Sequence, residues 1–155
     1  MKLFSLLTVS LITSISTTLC LADESDSNMH MNHHAMSQSI VDTRTPLNLS
    51  PEMKQHQLAN MRSHVEAIQS IVGYISIGDF DLASKVAHAK LGLTDEMKQM
   101  CSMFGNAKFE QLGLAFHKSG DELGNVLLTK DVTKSMNALH DTLGYCVQCH
   151  ATFRQ

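Results

Sequence analysis

The sequence predicts an all-α protein, an antiparallel four-helix bundle over residues 49–155. Three observations carry that prediction. Apolar residues recur at spacings of three and four through several long stretches, which is the period of a helix with one buried face. No stretch shows the apolar–polar alternation of a half-buried strand. The stretches are joined by short connections of capping and turn residues, as antiparallel neighbours require.

The first helix opens sharply at Ser50-Pro51-Glu52. Serine caps, proline suits the first helical position, and an acid in the first turn complements the helix dipole. Leu58, Met61, Val65, Ile68, Val72 and Ile75 follow at spacings of 3, 4, 3, 4 and 3, which predicts a bundle seam. Gly78 and Asp79 end this helix and begin the second, about Phe80 to Leu91, with Phe80, Ala83, Val86, Ala87 and Leu91 inward. Gly92 is the expected residue after its C-cap.

Between residues 93 and 108 the pattern is least regular. Thr94-Asp95-Glu96 caps a short helix running to Phe104, and Gly105-Asn106 closes it. Met97, Met100, Cys101, Met103 and Phe104 make this segment soft and apolar, either to cover the open side of a pocket or to fill gaps in the core. The third long helix is expected from Phe109 to Leu128, with Gly120 allowing a close approach. Asp131 caps the fourth, where Val132, Met136, Leu139, Leu143, Cys146, His150 and Phe153 repeat at 4, 3, 4, 3, 4 and 3.

Ahead of the bundle lie two segments of different character. Residues 1–22 read as a secretory leader, with Lys2, an apolar stretch from Leu3 to Ile12, and small residues before a cleavage site after Ala22. Leu19, where a small residue would precede a lipid-modified Cys20, weighs against a lipoprotein. The apolar run is short for a membrane span. The expected location is periplasmic. Removing the leader, which holds one lysine and no acid, moves the net charge from −3 to about −4, and no basic run tracks a nucleic-acid backbone. Residues 23–48 form a flexible arm without apolar periodicity. Within it Met29, His30, Met31, His33, His34 and Met36 combine thioethers with imidazoles, a set suited to copper. The competing reading is a solvated, composition-biased tail.

The chemistry concentrates in the last ten residues, Cys146-Val147-Gln148-Cys149-His150-Ala151-Thr152-Phe153-Arg154-Gln155. Cys-x-x-Cys-His is the attachment sequence of c-type haem. Each thiol can add across a vinyl group, and the imidazole becomes an axial iron ligand. On a helix the three residues share one face. A redox Cys-x-x-Cys is expected beside a βαβ pattern, which is absent here. A zinc site needs further ligands at paired spacing. Cys101, the other cysteine remaining after the leader is removed, is isolated and reads as a free thiol. The helical register turns the motif toward the bundle interior.

A four-helix bundle ending in Cys-x-x-Cys-His, then two residues, an aromatic and a base, resembles the cytochrome c′ family. Phe153 and Arg154 complete that tail. The stretch Lys54-Gln55-His56-Gln57-Leu58-Ala59-Asn60-Met61-Arg62-Ser63-His64 also resembles the family's first helix, and the likeness spans about residues 47–154. It implies one covalent haem c held by Cys146 and Cys149, with His150 as the proximal ligand. It implies that Arg154, one turn beyond His150, lines the proximal side, and that Gln55 contacts a propionate. Lys54 stands where the family usually has arginine, which weakens a bidentate contact. Leu58 falls at the distal position, implying a five-coordinate iron under an apolar lid. Met61, one turn on, offers the alternative of a His/Met six-coordinate iron. His64 is expected to be a bundle histidine. A homodimer through the first two helices is implied as well.

The function expected is that of an electron carrier, not an enzyme, exchanging electrons with redox partner proteins. The apolar distal side would also admit NO or CO. No Ser-His-Asp set, phosphate loop or carboxylate pair argues for hydrolytic catalysis. His56, His88, His117 and His140 share no ligand spacing and read as solvent-facing or partly buried.

Overall fold

The computed structural model describes residues 41–155. The leader and the Met/His-rich residues 29–36 lie outside the described residues. The described chain is all-α in class and mostly helical. In order come α1 (Pro51–Ser76), α2 (Phe80–Val86), a π-helical turn (Ala87–Leu91), a short α3 (Asp95–Ser102), α4 (Ala107–Leu127) and α5 (Val132–Thr152). Two strands of two residues each, β1 (Thr45–Pro46) and β2 (Phe153–Arg154), pair in parallel.

Each helix starts where a short polar side chain can take an orphan N–H. Ser50 Oγ accepts from Met53 N–H at 3.2 Å, and Asp79 Oδ1 from Leu82 N–H at 3.1 Å. Thr94 Oγ1 accepts from Met97 at 3.2 Å, and Asp131 Oδ1 from Lys134 at 3.0 Å. Such caps contribute about 1 kcal/mol each. Asn106, expected to close the short helix, instead caps α4 by accepting from Phe109 N–H at 3.0 Å. The third long helix therefore begins at Ala107, two residues earlier than its apolar pattern implied.

The phase of two seams differs from the sequence reading. On α1 the buried residues are Gln57, Ala67, Ile71 and Ile75, while Val65 is 66 % and Val72 44 % exposed. On α5 they are Ser135, Leu139 and Thr142, with Val132 and Met136 exposed. Both helices carry apolar residues on more than one face, so spacing alone left the phase open. Small side chains settle it, because they permit close packing. Ser135 and Thr142 of α5 are fully buried, and Thr142 Oγ1 donates to the Ser119 carbonyl of α4 at 3.3 Å.

The second helix does not end in a left-handed glycine. It widens into the π turn, and Gly92 continues in extended conformation (φ −68°, ψ 164°). A Cβ there would strike the His88 carbonyl and the Asp121 carboxylate, so close packing selects this glycine. π turns arise where an extra residue is accommodated, and they are common at functional sites. Here the Leu91 carbonyl accepts a hydrogen bond from His117 Nδ1 at 2.9 Å.

The core joins α1, α2, the π turn, α4 and α5 through Ile71, Ala83, Leu91, Leu123, Leu127 and Leu139, all buried. Gly120 supplies the close approach expected of it, since an added Cβ would lie 2.6 Å from the Leu91 carbonyl carbon. Backbone cannot yield as a side-chain tip does. Gly120→Ala is therefore expected to destabilise by about 1–3 kcal/mol despite its better helix propensity, read as a lower urea midpoint at unchanged slope.

Residues 45–47, placed at the end of the arm by the sequence reading, are tied to the C-terminus. Leu47 N–H donates to the Arg154 carbonyl at 3.0 Å, extending the strand pair. No apolar period marks a two-residue strand whose partner lies more than a hundred residues away.

Candidate functional site

The α1 and α4 faces, α3 and the end of α5 surround a cavity of ≈ 210 Å³. From α1 come Gln57, Asn60, Met61, His64, Val65 and Ile68; from α5 come Leu143, Tyr145, Cys146, Cys149 and His150. Met97, Met100, Cys101 and Phe104 cover a third side, and Phe109, Leu112, Gly113, Phe116 and His117 form the floor. The irregular segment around α3 therefore walls a pocket, while its Met100 and Cys101 are also buried as packing, so both expected roles are filled. Exposed Val65 and Leu143, 66 % and 36 %, mark the rim where the cavity opens to solvent.

Cys146 and Cys149 are half-buried on α5, three residues apart and so on one face. Burial pushes both thiols up, and Cys149 reaches about 11 through burial and the neighbouring Cys146. Disulfide-exchange cysteines need the opposite shift, toward thiolate at neutral pH. That weighs against a redox Cys-x-x-Cys. Among the described residues no three His, Cys, Asp or Glu side chains cluster as a ready-made metal site. His150 sits beside them, exposed, and its backbone carbonyl accepts from Arg44 Nη1 at 3.3 Å.

Several residues expected at the site are elsewhere. Leu58 is half-buried but does not line the cavity, whereas Met61 does. The rotated α1 face accounts for this, since Gln57 is the neighbour turned inward. Lys54 and Gln55 are exposed and lie off the cavity wall. Arg154 is not one helical turn beyond His150, because α5 ends at Thr152 and the chain enters β2. Its Nε lies 3.8 Å from Asp42 Oδ2. The Arg44 guanidinium and N–H, hydrogen-bonded to Asp42, hold that carboxyl down at about 2.

The sequence missed Gln57, Asn60 and His117 as wall residues. His117, expected to be solvent-facing or partly buried, is buried at 5 % exposure. Its position immediately after seam residue Phe116 was the available signal. Burial lowers its pKa against the opposing bond to the Leu91 carbonyl. His64 lies with its ring centroid 4.9 Å from Phe116 and 5.6 Å from His117. Burial, with His117 adding to it, pulls His64 down to about 4, so both imidazoles are neutral at physiological pH. His56 Nε2 and Asn60 Nδ2 each approach Met100 Sδ at 3.0 Å, seating α3 on α1. His88 pairs instead with Asp121, Nδ1 to Oδ1 at 2.8 Å.

No protein-family model, curated protein or solved structure matches the chain.

Proposed function

We propose that this chain is an exported c-type cytochrome with one covalent haem c, passing single electrons between redox partners. The observation supporting this most is the convergence of Cys146, Cys149 and His150 on one largely apolar cavity. Its almost wholly apolar lining suits the face of a flat macrocycle, and its open rim would let one edge meet a partner. Cys146 and Cys149 would each form a thioether by adding S–H across a vinyl group, and His150 would give an imidazole nitrogen to iron. When bound, the haem supplies a one-electron couple. Met97, Met100, Phe104, Phe109 and Phe116 line the cavity and would exclude water around it, which would raise the electrostatic cost of the more charged oxidation state.

The apolar wall opposite the motif also supports an iron with its sixth position open to NO or CO. The second reading takes Met61 as the sixth ligand, favoured by its place on the wall where Leu58 is not. A reduced visible spectrum separates them. The open-iron reading predicts a high-spin spectrum that shifts with CO and is unaffected by Met61→Ala. Sharp low-spin bands, indifferent to CO and lost in Met61→Ala, would establish the second instead. Leu58→Ala is expected to leave the spectrum near that of the parent chain, because its side chain lies off the cavity wall.

A further inference from the structure

The cavity wall is apolar except at a few points, and two of these are imidazoles in contact. His117 is committed on one side, because its Nδ1–H can only donate to the Leu91 carbonyl, which fixes the tautomer and leaves Nε2 as an acceptor. His64 has ring contacts with Phe116 and His117 and lines the cavity. A neutral imidazole always carries one N–H. His64 is half-buried on the cavity wall and its ring nitrogens are not sealed from the cavity, so its N–H is free to donate to a group bound there.

We propose that His64, seated against His117, is the specificity-determining residue of this cavity, offering its N–H to a small diatomic ligand whose outer atom accepts a hydrogen bond. The inference rests on the open-iron reading above. It replaces the wholly apolar lid expected of Leu58 with a wall that favours ligands able to carry negative charge on the outer atom. His117 is a positioning residue: it presses edge-to-face on His64 at an interplanar angle of 76° and is itself pinned by the π turn. The depressed pKa of His64 supports this, since a neutral donor does not draw in a competing anion.

The test uses the reduced holoprotein with CO as the probe, read by the infrared C–O stretch. A donor at the outer oxygen lowers that frequency. His64→Leu is expected to raise it, and His64→Gln, which restores an N–H, to return it toward the parent value. Dissociation of nitric oxide from the His64→Leu protein should be faster by about three- to tenfold, the loss of one hydrogen bond. His64→Phe serves as a second donor-free variant should the leucine form not retain haem. An unchanged stretch in the donor-free variant would overturn the inference and leave the open-iron reading standing. Failure of the parent protein to bind CO would overturn both, while leaving haem attachment untouched.

Discussion

The double variant Cys146→Ala/Cys149→Ala, produced beside the parent chain in cells able to mature c-type cytochromes, is expected to carry no haem after denaturation and to melt well below the parent chain. Both effects follow from the same geometry. The two sulfurs sit on the cavity face of α5, each half-buried among apolar side chains. With alanine there is no nucleophile for the vinyl groups, and His150, exposed at the rim, would hold the group by a single dissociable bond. A cavity left without its occupant gives up the dispersion and transfer energy of its lining. The loss should be on the order of 3–5 kcal/mol, comparable with a large-to-small substitution in a core. Single substitutions should fall between, each retaining one thioether. Calorimetry beside haem absorbance per polypeptide would check both parts.

Stability is also expected to fall as the solution is acidified from about pH 6.5 toward pH 4, independently of any carboxylate. His64 has its pKa depressed from 6.5 to about 4 in the folded chain. The unfolded state therefore binds a proton that the folded state refuses, and stability falls with pH throughout that window. Above the unfolded value neither state is protonated and the group is neutral in its effect. Below about 4 both are protonated and the loss is complete, at roughly 3 kcal/mol as an upper figure. His117, depressed in the same direction by burial, adds to it. His64→Phe keeps a ring against Phe116 and removes the titration, so its stability should vary less across the window. A parent and variant with parallel pH profiles, measured by urea midpoints, would refute the assignment.

The parts of the molecule legible in the sequence are those governed by local chemistry. Ser50, Asp79, Thr94 and Asp131 each mark a helix start because their side chains reach a backbone N–H three residues on. The convergence of Cys146, Cys149 and His150 was legible for the same reason, since i, i+3 and i+4 share a face on any helix. What was not legible depended on partners distant in the chain. Val65 and Val72 look like seam residues, yet Ala67 and Ile71 are the ones buried. Only the close packing of neighbouring helices chooses between these faces. That choice moved Leu58 off the wall and left Met61 and His64 on it. The exit of Phe153 and Arg154 into a strand needed Thr45 and Pro46 to pair with. The π turn needed Leu91 to meet Gly120 and His117.

Haem attachment at the C-terminal end of α5 is the claim on which the functional account depends. Its most direct test is the mass of the exported chain under denaturing conditions, taken with the absorbance of the same sample. The expected mass is that of the polypeptide plus one haem, reduced to the polypeptide alone in Cys146→Ala/Cys149→Ala. A parent chain of bare polypeptide mass, secreted in haem-replete cells able to mature c-type cytochromes, would contradict the account.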